Sequence, residues 1–135
     1  MDTKHPLLAV DCVVFDQAGR LLLIRRKNPP FQGRYALPGG FVEYGETTAQ
    51  AAARELREET NVQAAGLSLV GVYSDPGRDP RGHVVSIAYL VAAGPCDARA
   101  GSDASEAAFI AGWRDEALAF DHNRIVADAV ALMKQ

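Results

Sequence analysis

Residues 47–60 (TTAQAAARELREET) constrain this chain more than any other stretch. They contain Ala49, Ala51, Ala52, Ala53 and Leu56 and neither proline nor glycine, so the composition predicts a helix. At about 100° per residue, with Glu55 at 0°, Glu58 falls near 300° and Glu59 near 40°. The small residues Ala49, Ala52 and Ala53 fall with Leu56 between about 60° and 160°. The helix therefore packs its small side and presents three carboxylates from the adjoining face. Such an arrangement is locally unfavourable: each like-charge pair at i,i+3 or i,i+4 costs about 0.2–0.5 kcal/mol. Glu58 and Glu59 also lie in the last turn, where the helix dipole disfavours anions. Arg54 and Arg57 offset part of this, and neither is expected to sit between the carboxylates. Two readings stand: a solvated acidic face, or a site for hard divalent cations, which take oxygen ligands from a few carboxylates, from water and from substrate phosphate.

The flanks bear on that choice. Gly39 and Gly40 precede the helix and Gly45 lies just before its start. Glycine permits positive φ or close backbone approach to a ligand. Five residues separate Gly40 from Glu46, and seven more separate Glu46 from the run 54–59, Arg-Glu-Leu-Arg-Glu-Glu. Residues 40–62 in this spacing resemble the signature of the Nudix hydrolases, G-x5-E-x7-R-E-U-x-E-E-x-G-U with U aliphatic. One fixed position departs: Asn61 stands where the family has glycine. That residue follows the helix in the left-handed conformation, which asparagine tolerates next best, so a small stability cost and intact chemistry are expected.

The resemblance implies an α/β fold, an α/β/α sandwich with a mixed central sheet. It also implies hydrolysis of a nucleoside diphosphate linked to another group, with Mg²⁺ or Mn²⁺ as cofactor. By similarity Glu55, Glu58 and Glu59 face the metal, with the carbonyl near Gly39–Gly40 completing the shell. Arg54 holds one of these glutamates by a charge-assisted bond, and Glu46 steadies Arg54. Attack of water on phosphorus also needs a carboxylate to orient or deprotonate that water. Besides the helical glutamates, Asp103 and Glu106 are candidates, and Glu106, just before a late strand, is preferred. The alternative for both is an ordinary polar loop.

The resemblance extends along most of the chain. Residues 35–43 (YALPGGFVE), 73–83 (YSDPGRDPRGH) and 118–122 (LAFDH) look like the ADP-ribose pyrophosphatase group. They also look like Nudix domains that sense ADP-ribose-type ligands. The loop 74–83 carries Arg78, Arg81 and His83 with Gly77 and Gly82, either as a phosphate- or ribose-binding rim or as a solvated hairpin loop. Arg25, Arg26 and Lys27 with Arg34 form a second basic cluster. Phe31, Tyr35 and Tyr73 are candidates to stack a base or to belong to the core.

Elsewhere, the apolar runs 7–15 and 20–26, separated by Asp-Gln-Ala-Gly, predict a hairpin. Residues 27–34 predict a loop and 35–37 a short strand, punctuated by Pro38-Gly39-Gly40. Residues 63–73 and 83–92 are strand-like, 94–105 is loop, 107–113 a late strand, 115–120 a short helix and 123–134 a terminal helix. No repeat or linker appears, so residues 1–135 are expected to form one domain.

Seventeen acidic and 14 basic side chains give a formal net charge of −3, against generic nucleic-acid binding. No apolar run approaches the ~20 residues of a membrane helix, and no secretory signal is visible. Cys12 lies in an apolar stretch and reads as core; Cys96 lies in a loop, and no spacing suggests a disulfide framework or a zinc site. The expectation is a cytoplasmic enzyme, a homodimer by resemblance only, with a small-molecule nucleotide as substrate. The leading reaction converts ADP-ribose to AMP and ribose 5-phosphate. The alternatives are another nucleotide (a nucleoside triphosphate or a dinucleotide) or a non-catalytic ligand sensor.

Overall fold

The computed structural model describes residues 4–94, 98–101 and 104–135; Cys96 and Asp103 lie outside them. Seven strands and two helices follow in the order β1 (Leu7–Val13), β2 (Leu21–Arg26), β3 (Tyr35–Ala36), β4 (Gly39–Phe41), α1 (Thr48–Thr60), β5 (Ala64–Tyr73), β6 (Val84–Ala93), β7 (Ala104–Ile110) and α2 (His122–Met133). They form two sheets. One is mixed, in the order β4-β1-β6-β5; the other is antiparallel, in the order β3-β2-β7.

The expected hairpin of the first two runs does not form. The turn is there, with the Asp16 carboxylate accepting the Ala18 and Arg20 amides. The ladder stops at a single bridge between Phe15 and Leu21. Each run contains a fully buried stretch, Val10–Val13 in β1 and Leu21–Ile24 in β2. A strand buried on both faces takes a central position with a neighbour on each side. β1 finds β4 and β6, β2 finds β3 and β7, and the chain passes from one sheet into the other.

Alternation along β1 sets the layers. Val10, Cys12 and Val14 pack with Ala51, Ala52 and Leu56 of α1. Val13 packs with Ile125, Val126 and Ala129 of α2. In β2, Leu22 joins the first cluster and Leu21 and Leu23 the second. The helices thus cover opposite faces, the α/β/α sandwich expected from the resemblance.

α1 begins as its sequence dictates. Thr47 caps it by accepting the Gln50 amide, and the Gln50 side chain returns a bond to the Thr47 amide, a capping box. Asn61 ends it at φ 64°, in the left-handed region.

Three further expectations are corrected. Gly39 and Gly40 are not punctuation: they form β4, paired with Asp11 and Val10. The late strand starts at Ala104 and ends at Ile110, so Glu106 lies inside it, opposite Arg25. The expected helix over 115–120 does not form; a single 3₁₀ turn covers Trp113–Asp115 and residues 116–120 are not helical. The amides that a helix would use internally go elsewhere, Leu118 to the Asn123 side chain and Ala119 to the Tyr35 carbonyl. Among the described residues no helix is long and apolar enough to cross a membrane.

Candidate active site

The two sheets meet where residues 37 and 38 carry the chain from β3 to β4. A cavity of about 350 Å³ opens there. Its walls come from β1 (Asp11), the end of β2 and the following loop (Arg26, Lys27, Asn28), β4 (Gly39, Gly40, Phe41), α1 (Glu55, Glu59), the 74–83 loop (Arg78, Asp79, Arg81) and the α2 entrance (Phe120, His122). Four basic and four acidic side chains share this lining, so the overall −3 charge says little about it.

The glycines are at the wall for a steric reason. A Cβ on Gly39 would meet the Val10 carbonyl, and one on Gly40 would land on the Glu55 carboxylate. Only glycine lets β4 lie flat against both β1 and the α1 carboxylate.

Beside this wall lies Arg54, whose side chain is 18 % exposed. Its Nε and Nη2 donate to the two oxygens of Glu46 at 3.0 and 2.6 Å, a bidentate pair. Nη2 also donates to the Phe41 carbonyl at 3.0 Å. Nη1 donates to Glu55 Oε1 at 2.7 Å and Glu58 Oε1 at 3.0 Å. Arg54 therefore does sit between the carboxylates, contrary to the sequence expectation. Its long side chain folds back over the helix, where a projection of Cα directions cannot place it. The Arg54 bonds hold the Glu46 carboxyl down at about 2, helped by the Glu43 amide. They push the Arg54 guanidinium well up.

The three helical glutamates divide. Glu55 and Glu59 line the cavity. Glu58 is outside the lining, 55 % exposed and turned to Arg54. Among the described residues no three His, Cys, Asp or Glu side chains converge as a ready-made metal cage. The donor set is instead two carboxylates beside a close-packed glycine backbone. This suits a small hard cation that keeps several waters and binds through one or two carboxylates plus substrate phosphate.

The basic residues also separate. Arg26, Arg78 and Arg81 line the cavity; Arg34 and His83 do not. The Arg34 guanidinium lies over Phe31, and the exposed His83 ring bonds the Ser74 carbonyl. Arg26 donates from Nε to the Pro30 carbonyl and covers Phe120. Burial, then the nearby Arg81 charge, lowers its pKa. Arg81 is clamped by the buried Asp79 through Nε and Nη2. The Arg78 side chain, only 4 % exposed, makes a bidentate pair with Asp121 at 2.8 and 2.6 Å and donates to the Val84 carbonyl. Burial works against the Asp121 and Asp79 charges, but their arginine partners prevail and lower both pKa values.

Glu106 is not a cavity-lining residue. It accepts bonds from Tyr35 Oη at 3.0 Å and Arg25 Nε at 3.3 Å. Tyr73 is core, its hydroxyl donating to Asp128. Phe31 packs edge-on against Phe120.

Sequence reasoning missed Asp11, Asp79, Phe120 and His122 as cavity residues. Asp11 had a readable signal: it is the lone charge in the apolar run 7–15. His122 and Phe120 lie in the LAFDH stretch, whose roles have no local pattern.

The sequence profile of the NUDIX domain family matches residues 5–128, nearly the whole chain. This chain belongs to the Nudix family. It is similar to an ADP-ribose pyrophosphatase of Methanocaldococcus jannaschii, 49 % identical over 124 residues that cover 92 % of this chain and 73 % of that protein. It is 38 % identical to an ADPR-responsive transcriptional repressor of Acinetobacter baylyi over 66 % of this chain, but spans only 38 % of the repressor. Among solved structures, the NUDIX domain of Shewanella oneidensis NrtR complexed with ADP ribose superimposes with a TM-score of 0.89 at 30 % identity, covering 97 % of this chain and 90 % of that one. Similarity to a Nudix pyrophosphatase and to a ligand-bound Nudix domain thus spans the elements that build the cavity.

Proposed function

We propose that this Nudix protein is a metal-dependent hydrolase of ADP-ribose, yielding AMP and ribose 5-phosphate. The observation that carries this reading is the cavity between the sheets, whose lining brings together Glu55, Glu59, Arg26, Arg78, Arg81 and the Gly39–Gly40 backbone. The 49 % identity to an ADP-ribose pyrophosphatase supports the choice of substrate.

Glu55 and Glu59, with Glu58 at the edge and the Gly40 backbone, would hold Mg²⁺ or Mn²⁺. When bound, such a cation neutralises phosphate oxygens and lowers the pKa of a water ligand. The protein's own groups do the rest. Arg26 and Arg81 bind phosphate oxygens, Arg81 held in place by Asp79. Arg54 orients Glu55 and Glu58 through its Nη1 bonds. A carboxylate takes the proton of the attacking water; Glu58 and Glu55 are first candidates, and Glu106 is a third on β7.

The test is incubation of the protein with Mg²⁺ and a panel of ADP-ribose, dinucleotides and nucleoside triphosphates, with separation of products. ADP-ribose turnover is expected, and Glu58→Gln should lower kcat by about 10²–10⁴-fold if Glu58 acts as the base. The same drop in Glu106→Gln alone would move that role to β7. A second reading, a non-catalytic ADP-ribose sensor, is favoured by the similarity to a repressor and to NrtR. Tight ADP-ribose binding with no turnover of any compound would establish it and refute the hydrolase.

A further inference from the structure

The crossover at residues 37 and 38 links the two sheets and leads directly into Gly39 and Gly40. Its placement decides where the glycine wall stands relative to Glu55, because no slack remains between Gly40 and that carboxylate. A chain leaving one sheet for another loses its ladder partners, and each buried amide needs a substitute. Two bonds supply them. The Pro38 carbonyl accepts the Cys12 amide at 2.8 Å. The Leu37 amide donates to Nδ1 of His122 at 3.0 Å.

The second bond fixes the state of the histidine. A nitrogen that accepts an amide N–H carries its lone pair there, so the proton of the neutral ring is on Nε2. Nε2 faces Asp11 Oδ1 at 3.3 Å. Asp11 in turn accepts from the Ser86 hydroxyl through Oδ2 and has Arg78 at 3.9 Å. His122 is 4 % exposed and Asp11 7 %. The ring is thus aimed from both nitrogens: a carboxylate fixes the tautomer on one side, and the crossover amide reads it on the other.

We propose that His122 is a positioning residue for the hydrolytic site, holding the 37–40 crossover so that Gly40 stands against Glu55. His122 lines the cavity, and the role assigned to it here is exerted through the backbone. The inference rests on the hydrolase reading above for its kinetic consequence, but not for its geometry.

Two substitutions separate its two bonds. In His122→Asn the side-chain oxygen falls near the position of Nδ1 and can accept the Leu37 amide, while contact with Asp11 is lost. In His122→Gln the amide group reaches toward Asp11, and the acceptor for Leu37 is lost. Misplacing a reacting constellation by about 1 Å costs on the order of 10²-fold. We therefore expect kcat to fall about 10–100-fold in His122→Gln, with KM within about twofold and a cooperative thermal transition retained. His122→Asn should keep kcat within about threefold.

Nitrogen-15 spectra of the wild type should show Nδ1 unprotonated and the Leu37 amide slow to exchange. In His122→Gln the Gly40 amide resonance should move and the Leu37 amide lose its protection. Wild-type kcat in His122→Gln, equal losses in the two variants, or a proton on Nδ1 would each overturn the proposal. Should the wild type itself turn over no nucleotide, the hydrolase reading alone fails. The Gly40 resonance then decides: displaced in His122→Gln and not in His122→Asn, it supports the positioning role; unmoved in both, it refutes it.

Discussion

Replacing Gly40 by alanine tests whether the cavity's geometry or merely its fold carries the chemistry. An added Cβ would lie 2.8 Å from Glu55 Oε1 and nearer still to the rest of that carboxylate, where ordinary contact begins at 3.4 Å. The atoms met are the far end of a flexible side chain, so Glu55 can retreat by roughly an ångström without moving backbone. Gly40 lies in β4, and an alanine in a strand loses less backbone entropy than glycine on folding. Stability should change by less than about 1 kcal/mol, a shift in Tm of no more than about 4 °C. Activity should respond differently. A retreat of that size pulls Glu55 from Arg54 Nη1 and from the cavity wall, and an ångström of misplacement costs about 10²-fold, or about 2.7 kcal/mol of transition-state stabilisation. The control is Gly39→Ala. Its Cβ would meet the Val10 backbone carbonyl and lie 2.7 Å from Asp11 Oδ1. Backbone cannot yield, and overpacking of this kind costs about 1–3 kcal/mol of stability. Parallel thermal melts and ADP-ribose hydrolysis at saturating Mg²⁺ read both effects. Wild-type kcat in Gly40→Ala, or a loss of stability equal to that of Gly39→Ala, would refute the reasoning.

Other substitutions probe neighbouring contacts. Arg54→Met should let the Glu46 carboxyl climb from about 2 back toward the ordinary glutamate range in an NMR titration, with a loss of kcat of about tenfold or more, since the charge-assisted bonds that orient Glu55 and Glu58 go with it. Asp121 titrates below its ordinary 3.8 because the Arg78 bonds outweigh burial; a group lowered by folding contributes stability above its ordinary value and loses it as pH falls through the lower one. Urea midpoints of the wild type should therefore drop below about pH 4 with a component missing from Asp121→Asn. Asn61→Ala should cost about 1–2 kcal/mol, because alanine at φ 64° is strained; an unchanged urea midpoint would dismiss the strain.

What was legible in the sequence is what is local. α1 follows from the composition of residues 47–60 and its left-handed end at Asn61 from the family spacing, whereas Thr47 proved to be the cap rather than the first helical residue. The Gly40–Glu46–Arg54 spacing likewise lies in one continuous segment. Pairing partners were not legible. Two buried apolar runs joined by a good turn look like a hairpin, and nothing in either run says that each will take two other neighbours. β4 was hidden because glycine, two of its three residues, is the strand's least typical occupant; the reason for it, the Glu55 carboxylate, lies 15 positions away in sequence. Arg54's place among the glutamates escaped a projection that treats side chains as spokes. His122 and Asp11 meet across most of the chain, and only the assembled sandwich brings them together.

The bonds of Arg54 have a consequence for how the proposed hydrolase would relate to its ion supply. Crowded carboxylates in small proteins often need their metal in order to fold, and chelation then unfolds them. Here one guanidinium already sits among Glu46, Glu55 and Glu58 and offsets their mutual repulsion from within the chain. Under the proposed function, folding and ion loading would thereby be separated: a chelator should stop turnover while leaving the fold intact, and the effect should reverse when the cation is restored.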